Sequence, residues 1–203
     1  MASVTHNMYH ATLKNNAVEI TNTQIFKYDK HAINQKFLGE GIYFYTERIN
    51  AVDWTIKMYK DENRKLPDNA SEIIDNYRIV TADILVDEKR VLNLDLREEI
   101  EKINILANIV NDHLGKYGQH YNKPVAVLLN YLMKNNFLNN IDIVEKTFTY
   151  PVKSNKYLSG VNYINKKVIC IKNNNIITNP NISKKITQKE YNNSIFIFRE
   201  GRD

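Results

Sequence analysis

Gly39-Glu40-Gly41-Ile42-Tyr43-Phe44-Tyr45-Thr46, read together with Tyr9-His10-Ala11-Thr12 near the N-terminus, decides the fold of this chain. A glycine-bounded turn feeds a short strand of β-branched and aromatic residues, the types that suit a pleated, half-buried surface. Alternation puts Ile42 and Phe44 on one side of that strand and Tyr43 and Tyr45 on the other. In an earlier strand, Val4 to Leu13, it separates Met8, His10 and Thr12 from Tyr9, Ala11 and Leu13. Thr46-Glu47 then reads as an N-cap, and Ala51, Trp54, Thr55 and Met58 recur at helical spacing, which predicts a helix over 47–61.

Outward from this stretch, a helical turn or two is expected around Val18 to Ile25, and a short helix over Ala70 to Asn76. Tyr77 to Val86 reads as a strand whose near-continuous apolar centre places it in the middle of a sheet. Val91 to Leu96 reads as a short strand or turn. Arg97 to Leu114 is amphipathic, with Ile100, Ile103, Leu106, Ala107, Val110 and Leu114 in one stripe, and Gly115 and Gly118 end it. A second helix is expected over Pro124 to Lys134, with Val125, Leu128, Leu129 and Leu132 inward. Ile141 to Tyr150, Lys167 to Lys172 and Ile195 to Arg199 read as strands, and Asn173-Asn174-Asn175 as a hairpin turn. No repeat or linker divides the chain. Strands, a helical segment over about 97–137, then strands again predict one α+β domain spanning 1–203, with mixed twisted β-sheets and helices packed around them.

Composition narrows the function classes. The net charge of +5, from 28 Lys and Arg against 23 Asp and Glu, is compatible with an anionic partner such as a nucleic acid or a dinucleotide. The second half carries much of it, in Lys153, Lys156, Lys166, Lys167, Lys172, Lys184, Lys185 and Lys189, without a helix-turn-helix, zinc-finger or RNA-recognition signature. The single cysteine, Cys170, rules out an internal disulfide, and its apolar setting reads as a buried structural thiol. No signal-peptide pattern and no apolar run of about 20 residues is present, so a cytoplasmic protein is expected. His31, His113 and His120 lack metal-ligand spacing, and no metal is expected.

The order of the two opening motifs resembles that of the ADP-ribosyltransferases, in the branch of poly(ADP-ribose) polymerases and diphtheria-like toxins. That branch opens with a Tyr-His-Gly-Thr-like strand and continues with Gly-x-Gly-Ile-Tyr-Phe, here Tyr9 to Thr12 and Gly39 to Phe44. The resemblance is recognisable over residues 8–58 and extends over 77–172 in strand order alone. It implies an ADP-ribosyltransferase-like domain with NAD as co-substrate. His10 and Tyr43 would be catalytic and hold NAD, with Ala11, Thr12, Asn50 and Trp54 around nicotinamide. Nicotinamide is a flat, amide-bearing ring, which calls for an aromatic face and hydrogen bonds to its carboxamide. Trp54 is open to two roles, a pocket wall or an anchor in the helix core.

A glutamate usually opens a late strand in this branch. Before Lys167 to Lys172, the residues Ser159, Gly160, Val161 and Asn162 hold no acid, which argues against polymer elongation; the nearby acids upstream are Asp142 and Glu145, and Glu145 is the candidate carboxylate. Gln188-Lys189-Glu190 matches the arginine-modifying branch only by chance, since it lies beyond the expected strand. The expectation is a mono-ADP-ribosyltransferase acting on a nucleic acid or protein acceptor as a toxin or anti-phage effector, with an antitoxin partner left open. The alternatives are an inactive module of the same fold that binds an NAD-like or nucleic-acid ligand, and an interaction protein with an accidental motif match.

Overall fold

The computed structural model describes residues 2–27, 37–115, 125–151 and 163–200. The chain runs β1 (Ala2–Leu13), α1 (Lys14–Thr23), β2 (Ile42–Tyr45), α2 (Arg48–Asn63), α3 (Ser71–Ile74) and β3 (Tyr77–Asp87). It continues through β4 (Val91–Asn93), α4 (Arg97–Gly115), α5 (Val125–Lys134), β5 (Ile143–Pro151), β6 (Tyr163–Ile171), β7 (Ile177–Ile182) and α6 (Gln188–Glu200). All seven strands join one mixed sheet in the order β4-β5-β6-β2-β1-β3-β7. Among the described residues, only β4 and β5 pair in parallel. The architecture is α+β.

Each face of the sheet carries its own apolar core. On the first face, Ala11, Tyr45, Val144, Val168 and Cys170 meet Ala51, Val52 and Ile56 of α2, Leu129 and Leu132 of α5, and Tyr191 and Ile195 of α6. On the second, Met8, Phe44, Val80, Ile84 and Ile169 meet Ala17 and Ile20 of α1, with Phe26 just beyond it. Alternation along the strands divides the apolar side chains between the two. As expected, β3 is internal, between β1 and β7.

Several expectations are corrected. Ile195 to Arg199 is not a strand but the end of α6. Its apolar residues are read by a helix: Tyr191, Ser194 and Ile195 are buried while Phe196 is exposed. The start signal was present in Thr187-x-x-Glu190. The Glu190 N–H donates to Thr187 Oγ1 (3.2 Å) and the Thr187 N–H donates to Glu190 Oε2 (2.8 Å), a reciprocal capping box. That also explains why Gln188-Lys189-Glu190 matches no strand motif. Asn173 to Asn175 do not close a hairpin, because β7 crosses to pair with β3 rather than with β6. Glu47, not Thr46, is the N-cap of α2, without a side-chain bond. Ile100 and Val125 are exposed rather than inward. Gly118, Pro124, His31, His120 and Ser159 to Asn162 lie outside the described residues, as do the side chains of His113 and Leu114. Among the described residues, no helix is long and apolar enough to cross a membrane.

Candidate functional site

The turn that opens β2 is fixed from three directions. The Tyr43 hydroxyl donates to the Gly39 carbonyl (2.7 Å) and accepts from the Leu38 N–H (3.0 Å). Asn130 of α5 accepts from the Glu40 N–H (2.7 Å), and the Lys172 ammonium donates to the Leu38 carbonyl (2.7 Å) and to the Glu40 carbonyl. Gly39 (φ +82°) and Gly41 (φ +150°) hold conformations that side chains resist. Cys170 is fully buried beneath the turn, its Sγ 3.6 Å from the Glu40 carbonyl. Tyr43 therefore commits its hydroxyl to its own turn. Burial first, then the neighbouring Cys170, pushes that hydroxyl above the ordinary tyrosine range.

β1 and β2 are neighbours, but they pair only at Tyr9↔Tyr45, whereas β1 follows β3 through Leu13 and β2 follows β6 from Ile42 to Tyr45. Beyond that point the ladder between β1 and β2 does not continue. His10 links the two strands there through Nδ1, 2.8 Å from the Tyr43 carbonyl oxygen. A carbonyl only accepts, so Nδ1 carries the proton and, in the neutral ring, Nε2 is left as an acceptor. Burial lowers the imidazole pKa, and the bond to Tyr43 opposes that shift without cancelling it. The ring is held by Phe26 (5.3 Å, edge-on) and Phe44 (5.4 Å).

The antiparallel register at Tyr9↔Tyr45 places His10 across from Phe44 and Ala11 across from Tyr43. His10 and Tyr43 consequently sit on adjacent strands with their side chains on opposite faces. The buried Thr12 shares the His10 side by alternation. Glu145 does as well: the row Glu145↔Ile169↔Phe44 continues to His10. Three strand spacings separate its two ends, about 14 Å. Glu145 pairs with Lys167 (2.9 Å) and lines a cavity of about 410 Å³ with Met8, Ile84, Ile143 and Ile169.

Tyr43, Ala11, Asn50 and Trp54 belong to the first face, where α2 packs. There the structure assembles a polar centre that sequence reasoning missed. Lys166 of β6 donates to Asp53 Oδ2, and both residues are buried. The Lys166 ammonium also lies 5.3 Å from the centre of the Tyr150 ring. Burial, then Tyr150, then Asp53 pushes the Tyr45 hydroxyl well above its ordinary value. Burial and then Asp53 raises Tyr150. Trp54 packs 6.4 Å from Tyr45, and Phe148 lies opposite Lys166 in the strand register. Trp54, Phe148 and Tyr150 are half-buried, so this centre is flanked by aromatic rings that still meet solvent.

Two atoms in it are unmet. Asn50 and Asp53 are each 3% exposed, yet Asn50 Nδ2 and Asp53 Oδ1 have no hydrogen-bond partner among the described residues. An unmet buried polar group costs about 1–3 kcal/mol, so such atoms are rare without a use. The signal for this centre was in the sequence. Asp53 stands three residues after Asn50 on the inward side of α2, and Lys166 alternates with the inward Val168 and Cys170. Opposite charges at two inward positions call for each other. No three His, Cys, Asp or Glu side chains among the described residues form a metal-binding group.

No protein-family model matches the chain, and no solved structure matches it. The chain is similar to an uncharacterised protein of Methanocaldococcus jannaschii, 28% identical over 161 residues, which cover 75% of this chain and 69% of that protein. The likeness brings no activity with it.

Proposed function

We propose that this chain is a mono-ADP-ribosyltransferase of the ADP-ribosyltransferase fold, which uses NAD to modify a nucleic acid or protein acceptor, as a toxin or anti-phage effector does. The observation that supports the reading is the adjacency of the two motif strands, β1 and β2, with His10 bonded to the Tyr43 carbonyl. His10 Nε2, neutral and an acceptor, suits a ribose hydroxyl. Ala11 and Tyr43 suit the nicotinamide end, with Asn50 and Trp54 behind them.

In the reaction the bond between the ribose anomeric carbon and nicotinamide breaks, and its electron pair leaves with nicotinamide. An acceptor heteroatom bonds to that carbon and loses its proton. The protein's part is to position both partners and to stabilise the oxocarbenium-like sugar.

A second reading, a binding module without transfer activity, is favoured by one observation. Glu145, the carboxylate expected to orient the acceptor, is tied to Lys167 and stands three strands from His10. Labelled NAD incubated with the protein and separate pools of protein, DNA and RNA tests both. One pool is expected to become labelled, and His10→Ala to abolish the labelling with an unchanged circular-dichroism spectrum. Full turnover in His10→Ala would sink the proposal. Saturable NAD binding with no nicotinamide released in any pool would establish the module instead.

A further inference from the structure

Asn174 opens the short turn Asn174–Ile176 between β6 and β7. Its side-chain amide reaches out of that turn and donates from Nδ2 to the Phe26 carbonyl (2.8 Å), although 148 residues separate the two. Phe26 lies just past the left-handed Gln24 that ends α1, and it is fully buried. Its ring meets His10 edge-on at 5.3 Å, Phe44 meets His10 at 5.4 Å, and the two phenyl rings lie 5.3 Å apart. His10 is therefore one corner of a closed triangle of rings, and Asn174 holds the backbone of another. We propose that Asn174 is a positioning residue for His10: it fixes the Phe26 backbone so that the Phe26 ring seals the imidazole from water. The use of the sealed ring, as an acceptor for a ribose hydroxyl, rests on the NAD reading.

The bond from Asn174 is a poor one to keep for stability alone. Asn174 Oδ1 is buried with no partner among the described residues, so the amide makes one bond and strands one acceptor. Its net worth to the fold is small. What the single bond holds in place accounts for it better. The setting of His10 shows what that is. The Tyr43 carbonyl engages Nδ1, Val80 stands across from His10 in the β3 register, and Phe26 and Phe44 close round the ring. Ala17 and Ile20 are the buried residues of α1 on this face. None of these side chains bears a charge, and Glu145, in the same row, is three strands away and paired with Lys167. Burial is accordingly the largest influence on the imidazole and favours its neutral form, with Nε2 as the acceptor. If the Phe26 ring moves off, water reaches His10 and protonation becomes easier. A protonated ring has no acceptor left to offer.

Titration of the His10 side chain by nuclear magnetic resonance, in the ligand-free whole chain, tests this. Asn174→Leu keeps the volume and removes the donor, and Phe26→Leu keeps the backbone bond and removes the ring. Each is expected to raise the proton affinity of His10 by about threefold or more. Asn173→Ala is the control for a merely structural role. It breaks two bonds of the same turn, from the Asn175 N–H to Asn173 Oδ1 (3.1 Å) and from Asn173 Nδ2 to Asp142 Oδ1 (3.2 Å), and touches nothing beside His10. It is expected to melt lower and to leave the His10 titration where it is in the wild type. An unmoved His10 in either Asn174→Leu or Phe26→Leu would overturn the proposal, and so would an equal shift in Asn173→Ala. Should Asn174→Leu not fold, Asn174→Ala takes its place under the same criteria. Failure of the parent reading is separable, because the titration needs no NAD. The expected shifts in a protein that turns over no NAD refute the transferase alone. Turnover in the wild type with an unmoved His10 in Asn174→Leu refutes the positioning role alone.

Discussion

Replacing Lys166 by methionine removes one half of a buried ion pair and keeps most of the apolar stem. In the folded protein the Lys166 side chain is 10% exposed and that of Asp53 is 4% exposed, so water cannot solvate the carboxylate left behind. Removing one partner of such a pair costs about 3–5 kcal/mol, most of it the penalty of the uncompensated charge. The lost contact of the ammonium with the Tyr150 ring adds to it. For a chain of this size, 1 kcal/mol moves the melting point by about 2–4 °C, so Lys166→Met is expected to melt roughly 6–20 °C lower. Asp53→Asn, which strands the ammonium, is expected to cost a similar amount. The double variant Asp53→Asn with Lys166→Met carries no buried charge and is expected to recover most of the loss, the non-additivity that marks a direct pair. Urea denaturation read by fluorescence and circular dichroism supplies the three free energies, with an unchanged denaturant slope as the check on two-state unfolding. A Lys166→Met protein within about 1 kcal/mol of wild type, or a double variant no better than the worse single one, would refute the argument.

Two further predictions concern the turn and the last helix. A Cβ at Gly41 would stand 2.5 Å from the Ile171 carbonyl oxygen and 2.6 Å from Cys170 Sγ, whereas the nearest atom at Gly39 is the Asn130 side-chain oxygen, which can shift at the cost of its bond to the Glu40 N–H. Gly41→Ala is therefore expected to cost about 2 kcal/mol or more and to exceed Gly39→Ala in urea denaturation; the reverse order would count against the close approach of backbone and thiol. At the start of α6, burial opposes ionisation of Glu190, but hydrogen bonds from Arg48 and Thr187 prevail and hold its carboxyl below the usual glutamate range. A depressed carboxylate contributes stability at neutral pH that is lost as the pH falls through the ordinary glutamate range toward the lower folded-state value. Glu190→Gln is expected to cost about 1 kcal/mol at pH 7 and to melt with a shallower acid-side slope; parallel melting curves from pH 7 to pH 3 would rule this out.

The sequence by itself determined the elements whose periodicity is strong. β1, β2, β3, α2, α4 and α5 stand close to where alternation and helical spacing put them, and Cys170 is buried as its apolar run required. The glycines at 39 and 41 marked a turn whose positive φ angles disfavour side chains. Local patterns are legible because each is set by neighbours a few residues away. Ile195 to Phe198 failed as a strand because a dense apolar run fits either period, and only the capping box at Thr187 decides between them.

What tertiary structure alone decided is where the candidate site residues face and what they meet. Alternation gave His10 and Tyr43 each a side of its own strand, but a one-residue shift in pairing exchanges the faces. The register Tyr9↔Tyr45 set them on opposite sides of the sheet and joined them through a backbone carbonyl instead. Asp53 likewise announced its need for a partner without naming it. Lys166, 113 residues away, becomes that partner only when β6 pairs beside β2 and carries its inward side chain under α2. Distances along the chain do not encode such meetings. They are fixed by the order and register of the strands, and these follow from burying both faces of the sheet at once.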